Sequence, residues 1–239
     1  MTGRRINNSL QDHISVILVH PQNQENIGLV ARAMKNTGFR SLRIVGVDQI
    51  SDRAFAAAVH SGDILKQAEL LPGLEEAVAG LQLIAAATAK FRKNYSLSSF
   101  DEAVDRVIAA PSGTRIGLLF GNERTGLTSE QLRFANFLFT IPQAGRQPSY
   151  NLASAVLLTL FRIAGDVQTM GSSVERERFI PREEQMECIR LILDKLKDRR
   201  FIHESNSEHV TEMVHSLFGR LEMTEKDRNL LLAIFSRGW

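Results

Sequence analysis

The sequence predicts an open α/β domain, with a parallel sheet covered by helices on both faces, followed by a small all-helical extension. Three observations carry this. Short apolar runs rich in β-branched residues recur up to about residue 141, each separated from the next by a helical pattern. Two of these runs lead into polar loops, Gly121-Asn122-Glu123-Arg124-Thr125-Gly126 and Pro148-Ser149-Tyr150-Asn151. Beyond the break Met170-Gly171-Ser172-Ser173-Val174 the strand pattern stops and only helical periodicity remains.

The elements follow in order. Residues 14–19, Ile-Ser-Val-Ile-Leu-Val, read as a first strand. A helix over about 24–37 follows, ended by Gly38 in the left-handed position that only glycine takes freely. Residues 42–47 make a second strand, and 52–71 are mostly helical with a short strand near the end. Pro72 is placed at the first position of a helix running to Gly80. Strands are expected at 81–87, 115–120 and 137–141, with helices over 100–109, from about 129, and from 151 to about 168. The extension reads as helices over roughly 181–198, 206–220 and 224–236. The domain boundaries are thus 1–169, a linker at 170–180, and 181–239. The extension is too small to be stable alone and is expected to pack on the first domain or on a partner subunit.

Composition narrows the function classes. The chain has 239 residues, of which 44% are apolar and 23% charged, with a net charge of +2. No apolar run reaches the roughly 18 residues needed to span a bilayer, and the start Met1-Thr2-Gly3-Arg4-Arg5 leads into polar residues, so a cytoplasmic location is expected. Cys188 is the single cysteine, which excludes an internal disulfide and reads as a buried thiol. The six histidines show no metal-ligand spacing, so no metal is expected. Lys90, Arg92 and Lys93 with Tyr95, and the arm Arg4-Arg5, are basic clusters that suit either phosphate contacts or solvated surface.

The motif after the first strand carries neither a Gly-x-x-x-x-Gly-Lys-Ser/Thr loop nor a Gly-x-Gly-x-x-Gly fingerprint, which argues against P-loop and dinucleotide chemistry. It reads Asn26-Ile27-Gly28-Leu29-Val30-Ala31-Arg32, with Ile27, Val30, Ala31 and Met34 as the core stripe. Gly28 costs about 1 kcal/mol in a helix interior relative to Ala, so a close approach is expected there, either by a ligand group under Arg32 or by a neighbouring helix. The loop 121–126 is a tight turn before a helix capped by Thr128 and Gln131. Ser149 is the expected N-cap of the helix that follows the last strand. Crevices of open α/β sheets lie at such strand ends.

Taken together, in this order and spacing, the three motifs resemble the signatures of the SPOUT superfamily of RNA 2′-O-ribose methyltransferases, SpoU-like class. Arg32 matches the motif-one arginine, Glu123 the motif-two glutamate, and Ser149 and Asn151 the motif-three Ser-x-Asn. Ala87-Thr88-Ala89-Lys90 matches a cofactor-loop position, and the helical extension resembles that of the TrmJ-type tRNA methyltransferases. The resemblance implies a C-terminal trefoil knot in the catalytic domain, S-adenosylmethionine as cofactor, and a homodimer whose active site draws on both subunits. It implies cofactor contacts from Thr88, Ala89, Lys90, Gly121, Asn122, Ile141, Pro148, Ser149, Tyr150, Asn151 and Leu152, and RNA contacts from Arg32, Lys90, Arg92, Lys93 and Arg124. Tyr150 stands where the superfamily often has Leu.

The implied substrate is an anticodon-loop nucleotide of tRNA, position 32. The chemistry suits these residues. Methyl transfer needs a ribose 2′-hydroxyl held in line with a sulfonium methyl, so positioning supplies much of the rate. Arg32 would grip the adjacent phosphate, while Asn26, Glu123, Ser149 and Asn151 orient the reacting groups. Arginine stays protonated and is a poor base. Two rivals remain at this point. An rRNA-directed enzyme of the same class would be separated by comparing tRNA and rRNA as acceptors. A non-catalytic RNA-binding protein on the same scaffold would fail to bind the cofactor.

Overall fold

The computed structural model describes residues 10–89, 97–145, 149–167 and 178–236. Among these, seven parallel strands form one sheet: β1 (Ile14–Val19), β2 (Ser41–Val45), β3 (Glu69–Leu71), β4 (Leu83–Ala87), β5 (Leu97–Ser98), β6 (Ile116–Phe120) and β7 (Phe137–Phe139). Their order is β3-β2-β1-β6-β4-β7-β5. Both sheet faces are covered, and the alternation of side chains along each strand shows why the strands read as unbroken apolar runs. Ile14, Val16 and Leu18 of β1 enter one core while Ile17 and Val19 enter the other. Leu83 and Ala85 of β4 likewise oppose Ile84 and Ala86.

The larger core lies under α1 (Gln24–Thr37), α2 (Asp52–Ala58), α5 (Phe100–Ile108) and α7 (Leu152–Val167). The smaller lies under α4 (Leu74–Val78) and the single turn α6 (Ser129–Leu132), and α3 (Gly62–Lys66) follows α2. In α1 the expected stripe Ile27, Val30, Ala31 and Met34 is fully buried. Asn23 caps its start and Gly38, at φ 87°, ends it. The capping boxes Ser99–Glu102 and Thr128–Gln131 open α5 and α6.

Gly28 resolves the alternative left open by the sequence. A Cβ there would lie 2.1 Å from Ala54 O and 2.8 Å from Ala57 Cβ, so the close approach belongs to α2 and not to a ligand. Several boundaries differ from expectation. Pro72 precedes the cap Gly73 and is outside α4, and Gly46 at φ 72° ends β2 early. Leu81 and Gln82 are not in β4; their backbone and side chain instead hold the extension. The N-cap of α7 is Asn151 and not Ser149, since Asn151 Oδ1 accepts from Ala153 N–H at 2.9 Å. The strand β5 was not expected, because two residues carry no readable period.

The extension consists of α8 (Arg182–Asp198), α9 (Ser207–Gly219) and α10 (Glu225–Ser236). It has its own apolar contacts among Ile189, Ile192, Val210 and Val214, and Cys188 is buried beside Ile180 and Met223. Burial pushes the Cys188 thiol above its ordinary value. The helices pack on the first domain at the N-terminal ends of β4 and β7. There Arg182 N–H donates to Leu81 O, Glu183 accepts from Gly80 N–H at 2.6 Å, and Asn136 Nδ2 donates to Leu221 O at 3.0 Å. The expected linker falls largely on 168–177, outside the described residues.

Candidate active site at the strand ends

The opposite, C-terminal ends of β4, β6 and β7 converge on a cavity of about 340 Å³. Ala87, Thr88 and Ala89 line it from the end of β4 and the residues after it. Phe120 through Leu127 contribute the end of β6 and its loop, Thr140, Ile141 and Gln143 the segment after β7, and Ser149, Tyr150, Leu152 and Ala155 the start of α7. The wall mixes apolar surface with a few hydroxyls and amides, as small-molecule sites do. The last rung between β4 and β7 is Thr88 N–H to Phe139 O at 2.9 Å, so the sheet opens into the cavity at this level.

The loop 121–126 is shaped by its own residues. A Cβ at Gly121 would lie 2.3 Å from the Gly126 carbonyl carbon, so the turn closes only because residue 121 has no side chain. Gly126 takes φ 69°, and Asn122 Oδ1 accepts from Arg124 N–H and Thr125 N–H at 3.1 and 2.8 Å. This folded loop points Glu123 at the start of α1. Glu123 accepts from Gln22 N–H at 2.9 Å, Asn23 N–H at 3.2 Å and Asn26 Nδ2 at 2.8 Å. Partial burial opposes its ionisation. Hydrogen bonds from the Asn26 side chain and from backbone N–H groups outweigh that and hold the carboxyl below its ordinary value. Glu123 is therefore an anion that seats the motif-one loop.

Asn26 is buried and passes the connection on. Its Oδ1 accepts from Asn151 Nδ2 at 3.0 Å, while Asn151 Oδ1 caps α7. Glu123, Asn26 and Asn151 form one hydrogen-bonded chain that ties all three motifs together. The backbone N–H groups of Gln22 and Asn23 were not singled out in the sequence, because a main-chain donor leaves no residue-type signal.

The other expected residues fall in three groups. Thr88, Ala89, Gly121, Asn122, Ile141, Ser149, Tyr150, Leu152 and Arg124 line the cavity. Arg32 does not. It lies six residues beyond Asn26 on α1, about 9 Å along the axis, on the exposed surface. Lys90, Arg92, Lys93 and Pro148 lie outside the described residues. Among the described residues no group of three or more His, Cys, Asp or Glu could hold a metal ion, and no helix is long and apolar enough to cross a membrane.

A parallel α/β domain with interleaved strands, a cavity at the strand ends and three linked polar motifs is the arrangement in which open α/β sheets bind small molecules. The model of the SpoU rRNA methylase family matches residues 13–161, and the chain belongs to that family. It is 31% identical over 216 residues, 87% of this chain and 90% of the relative, to the tRNA (cytidine-2′-O-)-methyltransferase TrmJ of Methanocaldococcus jannaschii. It is 29% identical over 231 residues, 94% of both chains, to the tRNA (cytidine/uridine-2′-O-)-methyltransferase TrmJ of Escherichia coli K12. The crystal structure of TrmJ from Z. mobilis ZM4 superimposes with a TM-score of 0.80 at 27% identity, covering 93% of this chain and 97% of that one. Because the match spans nearly the whole chain, the helical extension is part of the likeness as well as the sheet.

Proposed function

We propose that this protein is a TrmJ-type enzyme that transfers a methyl group from S-adenosylmethionine to a ribose 2′-hydroxyl in the anticodon loop of tRNA, at position 32. The observation that carries this is the chain Glu123–Asn26–Asn151 beside the strand-end cavity, which joins the three motifs of the family in one place. The cavity suits the cofactor: its volume falls in the usual range for small-molecule sites, and Ala87, Ile141 and Leu152 supply apolar wall while Thr88 and Ser149 supply hydroxyls. Thr88, Gly121, Ile141, Ser149, Tyr150 and Leu152 would hold it. When bound, its sulfonium supplies a methyl group whose transfer neutralises charge, so the reaction calls for no metal.

The protein's own part is positioning. The Glu123 carboxylate fixes the start of α1, Asn26 fixes Asn151, and Asn151 fixes the first turn of α7 that forms a cavity wall. Arg32 lies on a different face. Leu29, one turn before it, is exposed, as are Leu157, Leu158 and Phe161 on α7, which packs against α1. Phe161 is 69% exposed, and this apolar face suits a second copy of the chain. In the homodimer Arg32 then serves the partner's cavity, gripping substrate phosphate beside the 2′-hydroxyl. Arg124, exposed at the cavity, would add a second phosphate contact. The placement of β6 between β1 and β4, and of β7 between β4 and β5, supports a trefoil knot formed by the segments around residues 121–152. A tRNA substrate implies a cytoplasmic location.

Labelled methyl transfer from S-adenosylmethionine to tRNA, followed by mapping of ribose-methylated nucleotides, tests the reading. A 2′-O-methyl mark at position 32 supports it, and transfer to rRNA alone moves the substrate. No transfer to either RNA, with no cofactor binding, overturns it. Sedimentation of wild type and Phe161→Glu tests the dimer, which the charge should split.

A further inference from the structure

Motif three does two separate things at adjacent residues. Asn151 reaches back to Asn26 in α1, whereas Tyr150 reaches across the other side of the cavity. The Tyr150 hydroxyl donates to Pro142 O at 2.9 Å. Pro142 follows Ile141 and precedes Gln143, both of which line the cavity together with Tyr150 itself. This bond joins the segment after β7 to the residues that open α7.

Its position matters because of where the sheet stops. The last rung between β4 and β7 is Thr88 N–H to Phe139 O, three residues before Pro142. A proline has no N–H with which to extend that ladder. The tyrosine hydroxyl bonds the carbonyl of this residue from the other element that builds the wall. The ring is 40% exposed, so it is not enclosed in a packed core, and the hydroxyl contact ties it to Pro142. A leucine at this position would supply wall area without any bond to Pro142.

We propose that Tyr150 is a positioning residue for the cofactor. Its hydroxyl holds the segment Ile141–Gln143 against the start of α7, so that the cavity is shaped before S-adenosylmethionine enters. The inference rests on the cofactor reading above. The bond orders a wall and does not touch the reacting atoms, so its loss should appear in cofactor affinity and not in the transfer step. A net hydrogen bond of ordinary strength corresponds to a loss of about three- to tenfold.

The test compares the full-length protein with Tyr150→Phe and Tyr150→Leu, measuring S-adenosylmethionine binding by titration calorimetry and methyl transfer to tRNA at saturating cofactor. Tyr150→Phe keeps the ring and removes only the hydroxyl, and thermal melting confirms that it folds. Expected are a Kd and a KM for the cofactor raised about three- to tenfold, with kcat and the KM for tRNA unchanged. Equal cofactor affinity in wild type and Tyr150→Phe overturns the inference, and weakening confined to Tyr150→Leu assigns the effect to the ring. A fall in kcat without a change in affinity also overturns it. Absence of binding by the wild type would instead strike at the cofactor reading itself.

Discussion

The two ends of β4 and β7 use the same kinds of polar side chain for opposite purposes. At the C-terminal end, Glu123 and Arg124 line the cavity and Asn26 and Asn151 brace it, while Arg32 stands farther along α1 on the exposed surface. At the N-terminal end, Arg182, Asn136 and Gln185 are buried almost completely and spent on main-chain groups. Arg182 Nη1 and Nη2 donate to Gly219 O and Arg133 O at 2.9 Å each, and Asn136 Oδ1 accepts from Ile84 N–H at 2.8 Å. Gln185 Nε2 donates to Phe218 O and Leu221 O at 2.7 and 2.8 Å. The donors to Phe218, Gly219 and Leu221 O, with Arg106 on Arg220 O, cover the last carbonyls of α9 and the two residues after it, where helices leave acceptors without intrahelical partners and where positive charge is favoured. Burial pulls the Arg182 pKa down to about 9, which still leaves it charged at neutral pH. An arginine whose Nη groups are held by two main-chain carbonyls and the Gln185 side chain is a structural clamp, while an exposed one on a helix beside an apolar face is open to solvent.

The sharpest break between the ends comes from paired arginine variants. Arg32→Ala should lower methyl transfer to tRNA by ~10²-fold or more while leaving cofactor binding intact and stability within about 0.5 kcal/mol. Arg182→Ala should do the reverse. It leaves buried carbonyls without donors and opens a void, so urea denaturation should report a loss on the order of 3–5 kcal/mol. If Arg32→Ala turned over normally, the division would fail at its most important residue.

Asparagines give a smaller contrast. Asn136→Ala removes a donor and an acceptor at once and should cost about 2–3 kcal/mol in chemical denaturation, with turnover near wild type at saturating substrates. Asn26→Ala should show the larger effect in kcat, lowered about 10- to 100-fold, because it disconnects Glu123 from Asn151.

Two titrations sharpen the comparison further. The Glu123 pKa is lowered from 4.5, so its contribution to stability is complete above that value and is lost as pH falls through the lower, folded-state pKa. Glu123→Gln should remove that part of the acid-denaturation slope, because a neutral amide does not titrate. At the other end, burial pulls the His215 pKa from 6.5 down to about 4, reinforced by Arg133, Arg182 and Arg190. The unfolded chain binds this proton more readily, so the stability from a neutral His215 is whole above pH 6.5 and declines toward about 4. Urea midpoints measured across that window should slope downward with acid in the wild type and flatten in His215→Gln. The effect should be the smallest of the set, since the ring is only partly buried.

Much of this architecture was legible in the residues. The span 14–19 coincides with β1 and 24–37 with α1, because an unbroken apolar run and a four-residue stripe leave little alternative. Short elements were less readable. The helix expected from about 129 is one turn, and β7 ends at Phe139, because few residues give the local pattern little to fix a boundary. Motif residues could be named from their order and spacing, but Gly28 showed why a motif position need not face a ligand.

What the sequence by itself determined is therefore the alternation of buried strands and helices, the three motifs and the helical extension, since each rests on local periodicity or on residue identity. Only the tertiary structure decided that Glu123 seats α1, that Asn26 links it to Asn151, that Asn151 caps α7, and that Arg182 clamps the extension to the strand ends opposite the cavity. Those partners lie from about fifty to more than a hundred residues apart in several cases. Hydrogen bonds across such separations, whether between side chains or to main-chain atoms, leave no local pattern in the sequence, so they exist only once the sheet has brought the loops together.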